Sequence, residues 1–175
     1  MTAPAGSISL AQEHLRQTLA HSASWQAECN CAGDAAAAAE RIYPNGLPKP
    51  ENGETHTKQE LQSYRPYAIV YTAEKDGFRK TADAGGTHFY YNPSGQLMVR
   101  INREAPEAAG DEPTADANTT FLNLLGKILD EMCDLAGTAG KLAIQSLSLD
   151  CYGWAEPNVI ETQGLWQEAD LTVQH

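Results

Sequence analysis

The residues best suited to metal chemistry stand near the N-terminus, where His21 precedes the pair Cys29-x-Cys31. Thiolates and imidazoles are the ligands that zinc prefers, but a structural zinc site needs four ligands and usually two to four residues between paired cysteines. This segment offers three ligands and a spacing of one, so we predict no metal and no cofactor. Cys133 falls in a helical pattern, where a buried, reduced thiol is expected.

Other residues that could do chemistry have simpler explanations. The glycine-rich segment 85–88 leads into a strand pattern rather than a helix N-terminus, so it lacks the geometry that binds phosphate. Asp130, Glu131 and Asp134 could serve acid–base catalysis, but they fall on the polar side of a helical pattern and are expected to be solvated. The sequence contains no recognised nucleophile, phosphate-loop or metalloprotease motif. We therefore predict that the protein is not an enzyme.

The charge of the chain is unevenly distributed. The 175 residues carry a formal net charge of −11, yet residues 1–103 hold ten basic and ten acidic side chains. Residues 104–175 hold thirteen acidic side chains and only two basic ones, Lys127 and Lys141. Phosphate neutralisation needs clustered Lys and Arg, so this balance argues against a protein that grips nucleic acid. No apolar run reaches the length of a membrane span, and no secretory signal is predicted.

Three helices are predicted, the first and third from apolar residues spaced three and four apart and the second from five consecutive alanines. Ser9 and Gln12 form a capping box for the first, and Asp34 is the N-cap of the second. The third has the widest apolar face, which begins at Phe121. The predicted helices cover residues 9–24, 35–43 and 119–136.

Five strands are predicted from alternation and turn residues. Residues 66–74 are apolar on both faces, which favours a strand covered on both sides. Residues 88–91 and 96–103 flank Asn-Pro-Ser-Gly and are predicted to pair as a hairpin. The remaining strands are predicted at 142–151, with a bulge near Ser146, and at 165–175.

Together these patterns predict an α+β fold in a single domain spanning 1–175. Its sheet is mixed or mostly antiparallel, with the long amphipathic helix packed across it as one layer of helix on sheet. A proline-rich loop is expected at 44–57 and an acidic loop at 104–118. The acidic loop is either a solvated insertion or an arm that becomes ordered on a partner.

The order of elements resembles the tail terminator (tail tube terminator, or neck) family of long-tailed bacteriophages. Five segments carry this resemblance. They are Leu15-Arg-Gln-Thr-Leu19 with Ser24-Trp25, the proline-led strand Arg65–Tyr71, the strand Gly95–Ile101, the helix with Phe121-Leu-Asn123 and Ile128–Glu131, and the final strand Leu165–Val173.

The resemblance implies a structural virion protein that forms a homo-hexameric ring in the tail or neck, assembled in the host cytoplasm. Such a ring caps the tail tube, ends its elongation and meets the head-completion or neck proteins, while DNA passes through its lumen without specific binding. A closed head-to-tail ring needs two different complementary surfaces on each subunit. Negative walls repel phosphate, so we expect part of the acidic excess to face the lumen or the tube.

Two groups of residues are candidates for these contacts. The candidate partner or lumen loop comprises Glu104, Glu107, Asp111, Glu112 and Asp116, and the candidate outer-face interface comprises Trp166, Glu168 and Asp170. Two other function classes stay open. One is a different binding module, either another phage neck or tail-completion adaptor or a small non-viral module. The other is a small hydrolase or transferase whose site is assembled from residues distant in sequence.

Overall fold

A computed structural model describes residues 7–51, 53–72, 80–82, 89–91, 96–105, 108–109, 112–135, 146–152 and 166–174. The described helices are α1 (Ser7–Ala20), α2 (Ala23–Glu28), α3 (Ala35–Glu40), α4 (Lys58–Tyr64) and α5 (Ala115–Leu135). The described strands are β1 (Ile42–Pro44), β2 (Tyr67–Thr72), β3 (Lys80–Ala82), β4 (Phe89–Tyr91), β5 (Gln96–Glu104), β6 (Ala108–Ala109), β7 (Glu112–Pro113), β8 (Ser146–Tyr152) and β9 (Trp166–Gln174).

The main sheet has five strands in the order β1-β2-β5-β9-β8. β1 runs parallel to β2, and every other pair in this sheet is antiparallel, so the predicted α+β fold with a mixed, mostly antiparallel sheet is confirmed. The predicted hairpin of 88–91 with 96–103 is wrong, because β4 pairs with β3. Both edges of β5 are occupied by β2 and β9. The turn residues 92–95 lie outside the described residues.

The core lies between one face of this sheet and a layer of helices. The alternating residues of β5 and β9 face α5, whose own apolar residues recur at steps of four and three. The apolar face predicted to begin at Phe121 is the face of α5 that lies in the core, and alternate residues of β5 and β9 are buried with it. Members that are fully buried, at 0% exposure, include Leu97, Val99, Ile101, Phe121, Leu125, Ile128, Met132, Ala169, Leu171 and Val173. Leu15 and Leu19 of α1 and Trp25 of α2 complete the cluster.

The first predicted helix is two helices. α1 ends at Ala20, and the Ser22 hydroxyl accepts from the Trp25 N–H to begin α2. Ser9 lies inside α1, so the predicted capping box is wrong, and the Gln12 amide instead donates to Asn45 Oδ1 at 2.8 Å. Ser22 is thus the N-cap of α2: its side chain satisfies a backbone N–H three residues ahead, which favours a new helix start over continuation of α1.

The segment after α2 also differs from prediction. Asp34 caps α3 as predicted, but α3 ends at Glu40 and the chain continues directly into β1. The proline-rich segment 44–57 leads into α4, a helix that was not predicted. Thr57 and Glu60 form its capping box, the same Ser/Thr-x-x-Glu/Gln pattern that predicts a box at Ser9 and Gln12.

The predicted acidic loop 104–118 is shorter than expected at both ends. Glu104 is the last residue of β5, and α5 begins at Ala115. The Thr114 hydroxyl accepts from the Ala117 N–H at 3.1 Å, which starts α5 four residues before the predicted Thr119. Between them β6 and β7 pair as a small hairpin.

Three further outcomes complete the comparison. The side chain of Cys133 is exposed, so the predicted burial is wrong. The predicted bulge near Ser146 falls at the start of β8, next to residues 141–145, which lie outside the described residues. In the part of the chain that the structure describes, no helix is both long and apolar enough to cross a membrane.

Candidate functional site

A polar cluster covers the sheet face that points away from α5. Alternation places Tyr67 and Tyr71 of β2, even-numbered residues of β5 and even-numbered residues of β9 on this face. Arg100 is paired across the strands with Asp170, and Asn102 with Glu168. Opposite charges in directly opposed positions stabilise a pair of strands.

Asp170 is the centre of the cluster, although it is only 2% exposed. Arg100 donates to its two carboxylate oxygens, each at 2.8 Å, and the Tyr71 hydroxyl donates to Oδ2 at 3.0 Å. The bidentate bond to Asp170 raises the pKa of Arg100. Burial, followed by the Asp170 charge, raises the pKa of Tyr71 to about 12. A buried carboxylate is tolerated here because three donors satisfy it.

The cluster continues along the strands through Glu168 and Asn102. Asn102 Nδ2 donates to Glu168 Oε2 at 3.0 Å, and Arg65 Nε donates to Asn102 Oδ1 at 2.7 Å. Glu168 Oε1 also lies 3.5 Å from Arg100 Nε. The guanidinium of Arg65 stacks 5.1 Å above the ring of Trp166. These contacts connect Arg65, between α4 and β2, with the start of β9, about 100 positions later in the chain.

Next to this cluster, α4 and the sheet enclose a cleft of about 170 Å³. Its apolar lining includes Leu61 of α4 and the ring of Trp166. The Arg65 side chain is only 6% exposed, and burial lowers its pKa. The residues lining this cleft are His56, Lys58, Leu61, Arg65, Tyr67, Asn102, Trp166 and Glu168.

The side chains that line the cleft define what it can hold. Its lining contains no serine, threonine or cysteine that could act as a nucleophile. Among the described residues, no group of three or more His, Cys, Asp or Glu side chains lies close enough to hold a metal ion. What the cleft does offer is a planar cation beside an aromatic ring and an aliphatic side chain, an arrangement that can hold the side chain or small molecule of a partner.

The structure brings four of the predicted site residues together. Glu104, which was grouped with the acidic loop, lies 3.9 Å from Arg65, so it belongs to the same cluster as Trp166, Glu168 and Asp170. Trp166 and Glu168 are half-buried, while Asp170 is enclosed beneath Arg100 and Tyr71. Trp166, Glu168 and Asp170 therefore lie on the outward face of β9, as predicted. Asp170, however, is buried rather than exposed on that face.

The other predicted site residues lie elsewhere. Asp116 is exposed in the first turn of α5, where a negative charge complements the helix dipole. Glu112 is in β7, which the structure describes by its backbone. Glu107 and Asp111 lie outside the described residues.

Glu131 has a role that the sequence analysis missed. Its carboxylate accepts from the Ser22 hydroxyl at 2.6 Å, the Ser24 N–H at 2.9 Å and the Ser24 hydroxyl at 2.7 Å. Burial opposes its ionisation, but these hydrogen bonds outweigh burial and lower its pKa. The expectation of a solvated side chain is therefore wrong for Glu131, which attaches the start of α2 to α5.

Arg103 and Gln167 are buried on the helical side of the sheet. Arg103 Nε donates to Gln167 Oε1 at 3.0 Å, and its guanidinium lies 4.8 Å from the centre of the Phe121 ring. Burial lowers the pKa of Arg103. Alternation could have found both residues, because Arg103 continues the series Leu97, Val99, Ile101 and Gln167 precedes Ala169 by two positions.

The fold and the site define an α+β protein with α1 and α5 on one face of a mixed sheet and a charged cluster, with its cleft beside α4, on the other. Comparison of the chain with models of known protein families finds no match, and comparison with curated protein sequences finds none.

Proposed function

We propose that this chain is a structural virion protein that forms a ring on the end of a bacteriophage tail tube, stops tube elongation and joins the tail to the head-completion proteins. One observation supports the proposal above the others. The five segments on which the resemblance rests, though they run from Leu15 to Val173 in the sequence, meet in one core. α1 and α5 supply its helical side, and β2, β5 and β9 supply its sheet side.

The surfaces of the chain are compatible with a closed ring. A head-to-tail ring requires that one subunit present a surface different from the one its neighbour presents. The helical layer carries the exposed leucines Leu10 and Leu122, whereas the opposite sheet face carries the ion pairs of Arg100 and Asp170. The two faces therefore differ in chemistry as well as in shape.

The acidic side chains of residues 104–175 fall into two groups, those bonded inside the protein and those exposed to solvent. Asp170 and Glu131 neutralise internal donors, so they add little to the outer potential. Asp116, Asp130 and Asp134 are exposed on α5. We infer that a lumen that lets DNA pass would draw on the exposed group and on the residues around Asp111.

The proposal is tested by mass measurement in light scattering, with and without tail tube protein from the same phage genome. We expect the chain to form hexamers on tube ends and to stop tube growth. A chain that stays monomeric and leaves tube growth unchanged would contradict the proposal and favour a different binding module.

A charge-reversal pair tests the DNA passage. Asp111→Lys with Glu112→Lys is expected to make the assembled ring retain DNA or to prevent tails from joining heads. Glu40→Lys with Glu51→Lys makes the same change in charge at exposed positions outside both acidic groups and is the matched control, expected to leave DNA passage unchanged. Tight, salt-sensitive binding of DNA by the unmodified ring would refute the proposed passage without contact.

A further inference from the structure

The cleft between α4 and the sheet contains a buried ring nitrogen without a hydrogen-bond partner and a guanidinium that is only partly hydrogen-bonded. In the described part of the chain, Arg65 donates one hydrogen bond, from Nε to Asn102, while Nη1 lies 3.9 Å from Glu104 Oε1, beyond hydrogen-bond distance. His56 Nδ1 is buried and has no hydrogen-bond partner. Both residues line the same cleft. Buried polar groups in proteins are nearly always satisfied, so the unsatisfied His56 Nδ1 beside the Arg65 cation requires an explanation, and a bound ligand is one.

An anion with one negative charge suits these groups best. The Arg65 guanidinium is planar and presents paired donors that match a carboxylate, and its side chain is only 6% exposed. Two carboxylates of the protein stand nearby, Glu104 and Glu168. They would repel a doubly charged phosphate more strongly than a carboxylate. Glu168 is itself occupied by Asn102 and Arg100.

The size and walls of the cleft define the rest of the ligand. Its volume of about 170 Å³ is close to that of an apolar cavity of about 150 Å³ that holds one benzene ring. Leu61 and Trp166 provide apolar contact beside the Arg65 cation. The space therefore suits a single side chain or a small organic acid with an apolar stem.

We propose that this cleft is a binding site for a monocarboxylate on a short apolar stem, held by Arg65 and His56 with its stem between Leu61 and Trp166. The site does not depend on the proposed role in the tail. The carboxylate could belong to a glutamate side chain of a protein partner or to a free organic acid, and the same chemistry recognises both.

Titrations of the full chain with two probes test the site and separate these sources. The probes are 3-phenylpropanoate, for the free acid, and N-acetylglutamate N-methylamide, for a glutamate side chain in a polypeptide. Resonances of the Arg65 Nε–H and the Trp166 indole N–H report on binding. We expect at least one probe to saturate with a dissociation constant on the order of millimolar, and the tighter probe identifies the source.

Neutral and inorganic competitors provide the controls on the unmodified chain. The corresponding primary amides of both probes are expected to bind at least tenfold more weakly. Equal binding of acid and amide would show an apolar cleft without anion recognition and overturn the proposal. Inorganic phosphate that binds as tightly as the acids would overturn it as well, as would failure of both acids to saturate.

Three variants assign the effect to residues. Arg65→Met is expected to abolish saturation, and Lys127→Met, which removes an exposed cation of α5, is expected to leave it unchanged. Glu104→Gln removes a competing carboxylate and is expected to tighten binding about two- to fivefold, the range for an exposed ion pair. Weaker binding by Glu104→Gln would contradict the assignment. The unmodified chain and the Glu104 variant keep the test decisive if Arg65→Met does not fold.

Discussion

Replacing Asp170 by asparagine removes the charge at the centre of the polar cluster. Asp170 is 2% exposed and accepts two hydrogen bonds from Arg100 at 2.8 Å and one from Tyr71 at 3.0 Å. Removing one partner of a fully buried ion pair costs about 3–5 kcal/mol, because the remaining charge stays buried and unpaired. The side chain of Arg100, however, is 38% exposed, and Glu168 lies 3.5 Å from its Nε.

Water and Glu168 can therefore compensate part of the lost interaction. We expect Asp170→Asn to lower the free energy of unfolding by about 2–3 kcal/mol, below the range for a fully enclosed pair. Urea denaturation followed by tryptophan fluorescence and circular dichroism measures the change, provided that the slope with denaturant is unchanged. Replacing Tyr71 by phenylalanine should cost about 1 kcal/mol, since one hydrogen bond is lost.

Glu168→Gln is the matched control for this prediction. It removes the same charge from the same strand two residues earlier, but its contact with Arg100 is longer, at 3.5 Å. The amide oxygen can still accept from Asn102, so the cost should stay below about 1 kcal/mol. If Asp170→Asn costs no more than Glu168→Gln, the bidentate pair contributes little to stability and the reasoning from its geometry is refuted.

Three further predictions concern the core, the pH dependence and the thiols. Phe121→Ala should lower the free energy of unfolding by about 3–5 kcal/mol, whereas Leu122→Ala, at a side chain 42% exposed, should change it by less than about 0.5 kcal/mol in the same assay. Burial raises the pKa of Tyr71 from 10.0 to about 12. The contribution of Tyr71 to the free energy of unfolding is therefore complete below pH 10 and lost as the pH rises toward 12. Tyrosinate absorbance, compared with that of the Tyr71→Phe variant, should show one tyrosine that ionises near pH 12. Burial raises the pKa of Cys29 to about 12, so iodoacetamide should modify the exposed Cys133 first, as read by peptide mass spectrometry; faster modification of Cys29 would contradict its burial.

Periodicity within single segments of the sequence correctly indicated which residues of a helix or strand face the core. The steps of α5 place Phe121 on the core side wherever the helix packs, and alternation does the same for Val99 and Leu171. Capping was harder to assign, because the Ser9 and Thr57 signatures look alike in sequence. Thr57 stands at the start of a helix, where its side chain can accept from a free backbone N–H group. Ser9 does not, because its helix already starts at Ser7.

Pairing and the candidate site depended on contacts between distant residues. Alternation shows that Arg100 and Asp170 each lie on the polar face of a strand, but it does not show that β5 and β9 are neighbours in this register. The same holds for Glu131 and Ser22, which are 109 residues apart and share a hydrogen bond. Side-chain periodicity is a property of one segment, so it defines which face is buried. Which charges meet is defined by strand order and helix packing, and the whole chain must fold before Arg65 and Trp166 enclose a cleft.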